Sequence, residues 1–159
     1  MTEFPAWPVR PTADDNGTWL ITSRDLPEVT SFVETPTPLD GAEGTEALVA
    51  VARDAIATAL AFRLDRGEDI PVPSPIQDGE VAVRMPLLAD MKLAIRREMK
   101  AQGLTQTALA ERMKADPRQV RRLLDLHHAT PVAGLEAAAD ALDMARRSPF
   151  VPRREAEAA

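Results

Sequence analysis

The sequence predicts an α+β fold: a small strand-rich module with one helix, followed by an all-α module. Three observations predict it. Short apolar runs broken by turn signals fill the first third, and an apolar pattern of helical period follows them. From Leu87 onward only helical patterns are legible. Charge divides in the same way: residues 1–80 carry 5 Arg and no Lys against 15 acids, a balance of −10, while 81–159 carry the other 14 bases against 10 acids, a balance of +4. An acidic module joined to a basic one is the simplest account, and only the basic one would be drawn to phosphate.

The first strand is read from Phe4, Trp7 and Val9, the second from Trp19, Leu20 and Ile21, and the third from Val29, Phe32 and Val33. Asp14-Asp15-Asn16-Gly17, Asp25-Leu26-Pro27 and the stretch from Pro36 to Gly44 supply the turns. Asn16-Gly17 is a hairpin signal because both residue types tolerate positive φ. Thr45 is placed as the cap of a helix carrying Leu48, Val51, Ala52, Ala55, Ile56, Ala59 and Leu60 at helical spacing. Gly67 ends that helix after Arg63 and Arg66. Ile70-Pro71-Val72-Pro73-Ser74-Pro75 must be extended, since each proline disfavours helix at the residue before it. Val81 to Met85 alternates as one more strand. In the second module Leu88, Met91, Ile95 and Met99 share a helix face that ends at Gln102-Gly103. Thr105 opens a second helix running to Met113, Asp116 caps a third with Pro117 in its first turn, and Thr130-Pro131 open a fourth carrying Leu135, Ala138, Ala139 and Leu142. The expected boundaries are 1–86 for the α+β module, 87–145 for the helical one and 146–159 for a flexible tail.

Composition excludes several function classes. Hydrophobic residues make up 45% of 159 residues, enough for a core and too many for wholesale disorder. With no cysteine there is no disulfide, thiolate metal site or thiol nucleophile. The start MTEFPAWPVRPT lacks the basic and apolar regions of a secretory signal, and no run approaches the roughly 18 apolar residues of a membrane helix. A soluble cytoplasmic protein, with no membrane association, is expected. Asp14, Asp15, Asp25 and Asp54 are candidate ligands for catalytic magnesium, but the first three fall in turns and suit turn formation better. No enzyme activity and no cofactor or metal is expected.

The segment TQTALAERMKADPRQVRRLLDL carries the functional argument. Two short helices crossing at close range need a small residue at the crossing, which Ala110 supplies, and apolar residues facing inward, which Leu109, Met113, Ala115, Val120 and Leu123 supply. The second helix then exposes Arg118, Gln119, Arg121 and Arg122, residue types that pair with guanine, adenine and phosphate. Gln106 and Thr130 are placed to fix the DNA backbone, and Arg96, Arg97, Lys100, Arg112 and Lys114 add positive charge nearby. His127 and His128 are either surface residues or phosphate contacts. The four-helix span resembles helix-turn-helix domains of the phage-repressor and Xre type, with Lys114 standing where that family usually has glycine. Two-fold operators then imply at least a dimer. Its surface is either the Val81–Met85 edge strand or the first helix of the helical module.

The acidic module carries a second resemblance. SRDLPEVTS, the helix EALVAVARDAIATALAFRLDRGEDIPVPS, and VAVRM followed by the helix-turn-helix are similar to HicB-type antitoxins of type II toxin–antitoxin systems, over about Phe4 to Met144. Glu28 replaces the glycine usual after the proline of that family's turn, and PTPLDGAEGT replaces a shorter link. The resemblance implies a truncated ribonuclease-H-like βββαβ module that binds and blocks a small basic HicA-like toxin that cleaves mRNA. It further implies a helix-turn-helix that represses the protein's own operon, in a homodimer or homotetramer. A stand-alone transcriptional regulator, whose first module senses a ligand or another protein, is the alternative.

Overall fold

The computed structural model describes residues 5–34 and 42–145, and the expected tail at 146–159 lies outside them. The chain divides into two compact units, Met1–Met85 and Pro86–Ala159. In the first, strands β1 (Ala6–Ala13), β2 (Thr18–Thr22) and β3 (Thr30–Glu34) precede helix α1 (Ala42–Asp65) and strand β4 (Val81–Arg84). They form an antiparallel sheet of order β3-β2-β1-β4.

The first hairpin forms where Asn16-Gly17 predicts it, by a different turn. Gly17 has φ +80° and Asn16 does not have positive φ. The Asp14 amide donates to Thr18 O at 2.9 Å and the Gly17 amide to Asp14 O at 3.2 Å, which closes a three-residue loop. Asn16 uses its side chain instead, accepting from the Thr18 amide at 3.2 Å and hydroxyl at 2.7 Å. Strand β1 carries Pro8 and Pro11 although it is an inner strand. Its register explains this. Ala6 to Val9 pair with β4, and Arg10 to Ala13 pair with β2. Each residue of β1 is therefore bonded on one side only, the condition under which a sheet tolerates a residue without an amide proton.

Helix α1 begins at Ala42, so Thr45 lies inside it and is not its cap. Gly44 reads as a turn residue in sequence, yet it stands in the first turn. Amides there have no intrahelical partner and a glycine forfeits little. The rest of the expected third turn, residues 35–41, lies outside the described residues. Leu48, Ala52, Ile56, Ala59 and Leu60 bury one stripe of α1 with Trp7, Val9, Ile21, Leu26, Val29, Val33 and Val83. At the other end Gly67 adopts φ +67°; its amide bonds Leu64 O, and the Glu68 amide bonds Arg63 O. This six-to-one and five-to-two pattern closes the helix as the glycine predicts. The proline-rich stretch is neither helix nor strand, so it leaves the helix out as its prolines require.

The second unit holds α2 (Leu87–Ala101), α3 (Gln106–Met113), α4 (Pro117–Leu123) and α5 (Val132–Ala141). Ile95, Met99, Leu109, Ala110, Val120, Leu124, Leu135, Ala138 and Leu142 form its core. Leu124 is fully buried, whereas Leu123, the residue the sequence pattern places inside, packs at the margin. Helix α5 is preceded by Pro131, without a side-chain cap, so Thr130 does not cap it. Among the described residues no helix is long and apolar enough to cross a membrane.

Candidate functional site

The candidate site is built on α3, α4 and the turn between them. Thr105 caps α3, its hydroxyl accepting from the Ala108 amide at 3.1 Å. The helix ends at Lys114, which takes the left-handed conformation, φ 51° and ψ 41°. The Ala115 amide then reaches Ala110 O at 2.9 Å. Asp116 restarts the chain as a cap, its carboxylate accepting from the Arg118 amide at 2.7 Å, with Pro117 in the first turn. Val120 is buried, so the residues at positions 118, 119, 121 and 122 fall on the opposite face of α4. Arg118, Gln119, Arg121 and Arg122 are all exposed, and none of the three arginines makes an ion pair among the described residues. Lys114, also exposed, stands just before this helix.

The remaining polar residues divide between surface and scaffold. Gln106, in the first turn of α3, accepts from both terminal nitrogens of Arg96 at 2.7 and 3.1 Å when its amide oxygen faces the guanidinium. Arg96 thereby orients Gln106 from behind. Arg112 belongs to the scaffold: it donates to Gln102 Oε1 at 3.1 Å and Ala141 O at 3.4 Å, while Gln102 donates to Glu98 at 2.8 Å and Leu142 O at 2.8 Å. Thr130 is half-buried, its hydroxyl placed against Leu123 O at 3.3 Å and His128 O at 3.4 Å. His127 is exposed and His128 half-buried. Arg97 is half-buried and interacts with Asp90, whose carboxyl burial pushes up to about 6 against the opposing charge of Arg97. Gly134 lets α5 approach α4: a Cβ there would stand 2.9 Å from Leu123 Cδ1.

Lys92 escapes sequence reasoning. It is fully buried, and its ammonium donates to Asp125 O and His128 O, each at 2.5 Å. Burial holds its pKa below the ordinary lysine value, with Asp125 opposing. A signal exists in the sequence, because Lys92 lies four residues after Leu88 and three before Ile95 on the apolar stripe.

In the first unit the motif residues meet one another. Asp25 accepts from the Ser74 amide at 2.7 Å and the Ser74 hydroxyl at 2.8 Å. Arg63 chelates Glu28 and donates to Asp69 O at 3.1 Å, and its hydrogen bonds hold the Glu28 carboxyl below the usual carboxylate range. Arg24 joins Glu80 at 2.8 Å and Pro75 O at 2.5 Å. The turn 25–28 and the extended stretch 69–75 are thus stitched together, and their polar residues hold the loops in place. Asp14 and Asp15 lie in the hairpin loop, and Asp54 stands on the exposed face of α1. Among the described residues no group of three or more histidine or carboxylate side chains could hold a metal ion.

The family model described as "HicB_like antitoxin of bacterial toxin-antitoxin system" matches residues 6–94. This chain belongs to the HicB-like antitoxin family. The antitoxin HicB of Escherichia coli strain K12 is 32% identical over 136 residues, 86% of this chain and 92% of its own. Two further relatives come from Photorhabdus laumondii. Its antitoxin HicB 1 is 32% identical over 112 residues, 70% of this chain and 71% of that one, and its antitoxin HicB 2 is 28% identical over 142 residues, 89% and 94%. The family match covers the whole first unit from β1 and enters α2, so it includes the stitched turn, α1 and β4.

Proposed function

We propose that this HicB-family chain neutralises a small basic HicA-like mRNA-cleaving toxin through its first unit and represses its own operon through the second. The observation that carries the second half is the exposed face of α4. Arg118, Gln119, Arg121 and Arg122 stand opposite a buried Val120, with no ion pair to satisfy the arginines among the described residues. In a helix-turn-helix reading of α2 to α5, α4 enters the major groove and Gln106 and Thr130 fix the backbone, Thr130 by bracing the loop after α4. Two such helices about 34 Å apart require a homodimer or homotetramer. Family membership and the −10 balance of residues 1–80 support the first half, because an RNA-cleaving partner carries a basic face. The strand order β3-β2-β1-β4, with α1 between β3 and β4, supports a truncated ribonuclease-H-like layer.

Two measurements test this. Co-expression with the flanking genes should recover a small basic protein in stoichiometric amount that arrests growth when expressed alone. Replacing Arg121 or Arg122 by alanine should weaken operator binding by about 1–3 kcal/mol while leaving the thermal transition in place. Operator binding untouched by both substitutions would remove α4 from the interface. A chain recovered alone that still binds its promoter would leave the stand-alone regulator as the better reading.

A further inference from the structure

A groove of about 630 Å³ runs along the exposed side of α1 beside the start of β3. Its floor on α1 is made of small residues, among them Ala50, Ala55 and Thr58, so another chain can approach the helix closely. From Ala50 to Phe62 it spans twelve helical rises, about 18 Å, which matches an extended segment of five or six residues. Strand β3 borders it and is the last strand of the sheet, so no described strand pairs with its outer edge. An open edge of this kind is a template for strand addition. Phe62 closes one end of the groove with 58% of its surface exposed.

The electrostatics select the occupant. Asp54 stands exposed in the groove, and no cation pairs with it among the described residues. Glu28, at the opposite wall, is engaged by Arg63, and among the described residues no lysine or arginine lines the groove. A small apolar floor, one unmatched carboxylate and an open strand edge are complementary to an extended segment bearing a Lys or Arg beside an apolar side chain. We infer that this groove is where the toxin docks, by adding a basic extended segment to β3 that places its cation on Asp54 and an apolar side chain against Phe62. The inference rests on the antitoxin reading above and assigns it a surface.

The test uses the full chain and, as its probe, the small basic protein that co-expression with the flanking genes recovers with it. Asp54→Lys reverses the unmatched charge, and Thr58→Trp fills the groove without changing charge, at an exposed position that tolerates the ring. Glu46→Lys makes the same charge change on the exposed N-terminal part of α1, outside the groove, and serves as the control. Both groove variants should bind the probe at least about tenfold more weakly than wild type. Glu46→Lys should stay within about threefold, with all thermal transitions unchanged. In the wild-type complex, the alternate amides of Thr30 to Val33 that do not bond β2 should gain protection from hydrogen exchange. If both groove variants bind like wild type, the groove is wrong and the antitoxin reading survives. Equal weakening by Glu46→Lys would also overturn it, in favour of diffuse charge attraction. A drop in the mass of the free protein caused by either groove variant would give the groove to a second copy. A wild-type chain that binds no neighbouring product would sink the antitoxin reading and the groove with it.

Discussion

At the scale of the residue, the second unit turns on a lysine that a hydrophobic pattern would reject. Lys92 is 0% exposed and donates to two backbone carbonyls, Asp125 O and His128 O, in the loop that leaves α4. A buried ammonium carries a desolvation cost that its partners must offset, and carbonyls left without a donor carry a cost of their own. The two costs set the expected outcome of Lys92→Met, which keeps the length of the side chain and removes its protons. Asp125 O keeps the His128 amide at 3.2 Å and His128 O keeps the Thr130 hydroxyl at 3.4 Å, yet the loss of two charge-assisted donors outweighs the relief of the buried charge. The variant should be less stable by about 1–2 kcal/mol in urea unfolding. An unchanged midpoint and slope would mean that the ammonium merely fills space. Because the anchored loop follows α4 directly, operator affinity should fall with stability, whereas the alanine variants of Arg121 and Arg122 separate the two.

At the scale of the element, legibility followed the local origin of each feature. Glycine at 17, 67 and 103 closed the turns that the pattern required, and Asp116-Pro117 opened α4 as written. These signals act within a few residues and do not depend on the fold. Thr45 misled because a good cap competes with a good first turn, and the Ala42 start left it inside α1. Asn16 misled because its side chain found Thr18 before its backbone needed positive φ. Leu124 in place of Leu123, and Lys92 on an apolar stripe, depend on how α4 and α5 meet, which no local rule encodes. The groove was also hidden, since the openness of β3 is a property of strand order. Lys114 is the clearest case of a local rule carried through. It occupies the left-handed turn at φ 51° that glycine would take without strain. Lys114→Gly should therefore raise stability by about 0.5–1 kcal/mol, the relief of strain exceeding the added freedom of the unfolded chain. A lowered melting temperature would show that the lysine stem packs usefully there. The same variant removes one cation beside α4 and should weaken DNA binding slightly at low salt.

At the scale of the whole molecule, the division of charge implies that the two proposed activities can be separated. Residues 1–80 hold 15 acids against 5 arginines, and four of those arginines, Arg10, Arg24, Arg63 and Arg66, are already engaged by carboxylates of the same unit. Among the described residues, the exposed arginines of α4, with Lys114 just before it, form a cluster of cations that make no ion pair. Each phosphate neutralised by a protein cation contributes about −0.9 to the slope of log K against log salt concentration, because it releases condensed counterions. A chain carrying both Arg121→Ala and Arg122→Ala should therefore bind operator more weakly. Its salt slope should be shallower by up to about 2 if both side chains contact phosphate, and nearly unchanged if both read base edges. Both substitutions belong to the second unit. The variant should still suppress growth arrest by the proposed toxin partner as fully as wild type, measured at matched protein levels. Loss of that protection together with operator binding would mean that neutralisation needs the helical unit, and the assignment of one activity to each unit would fail. Retained protection with a lost operator complex would fix the charge boundary as a functional one.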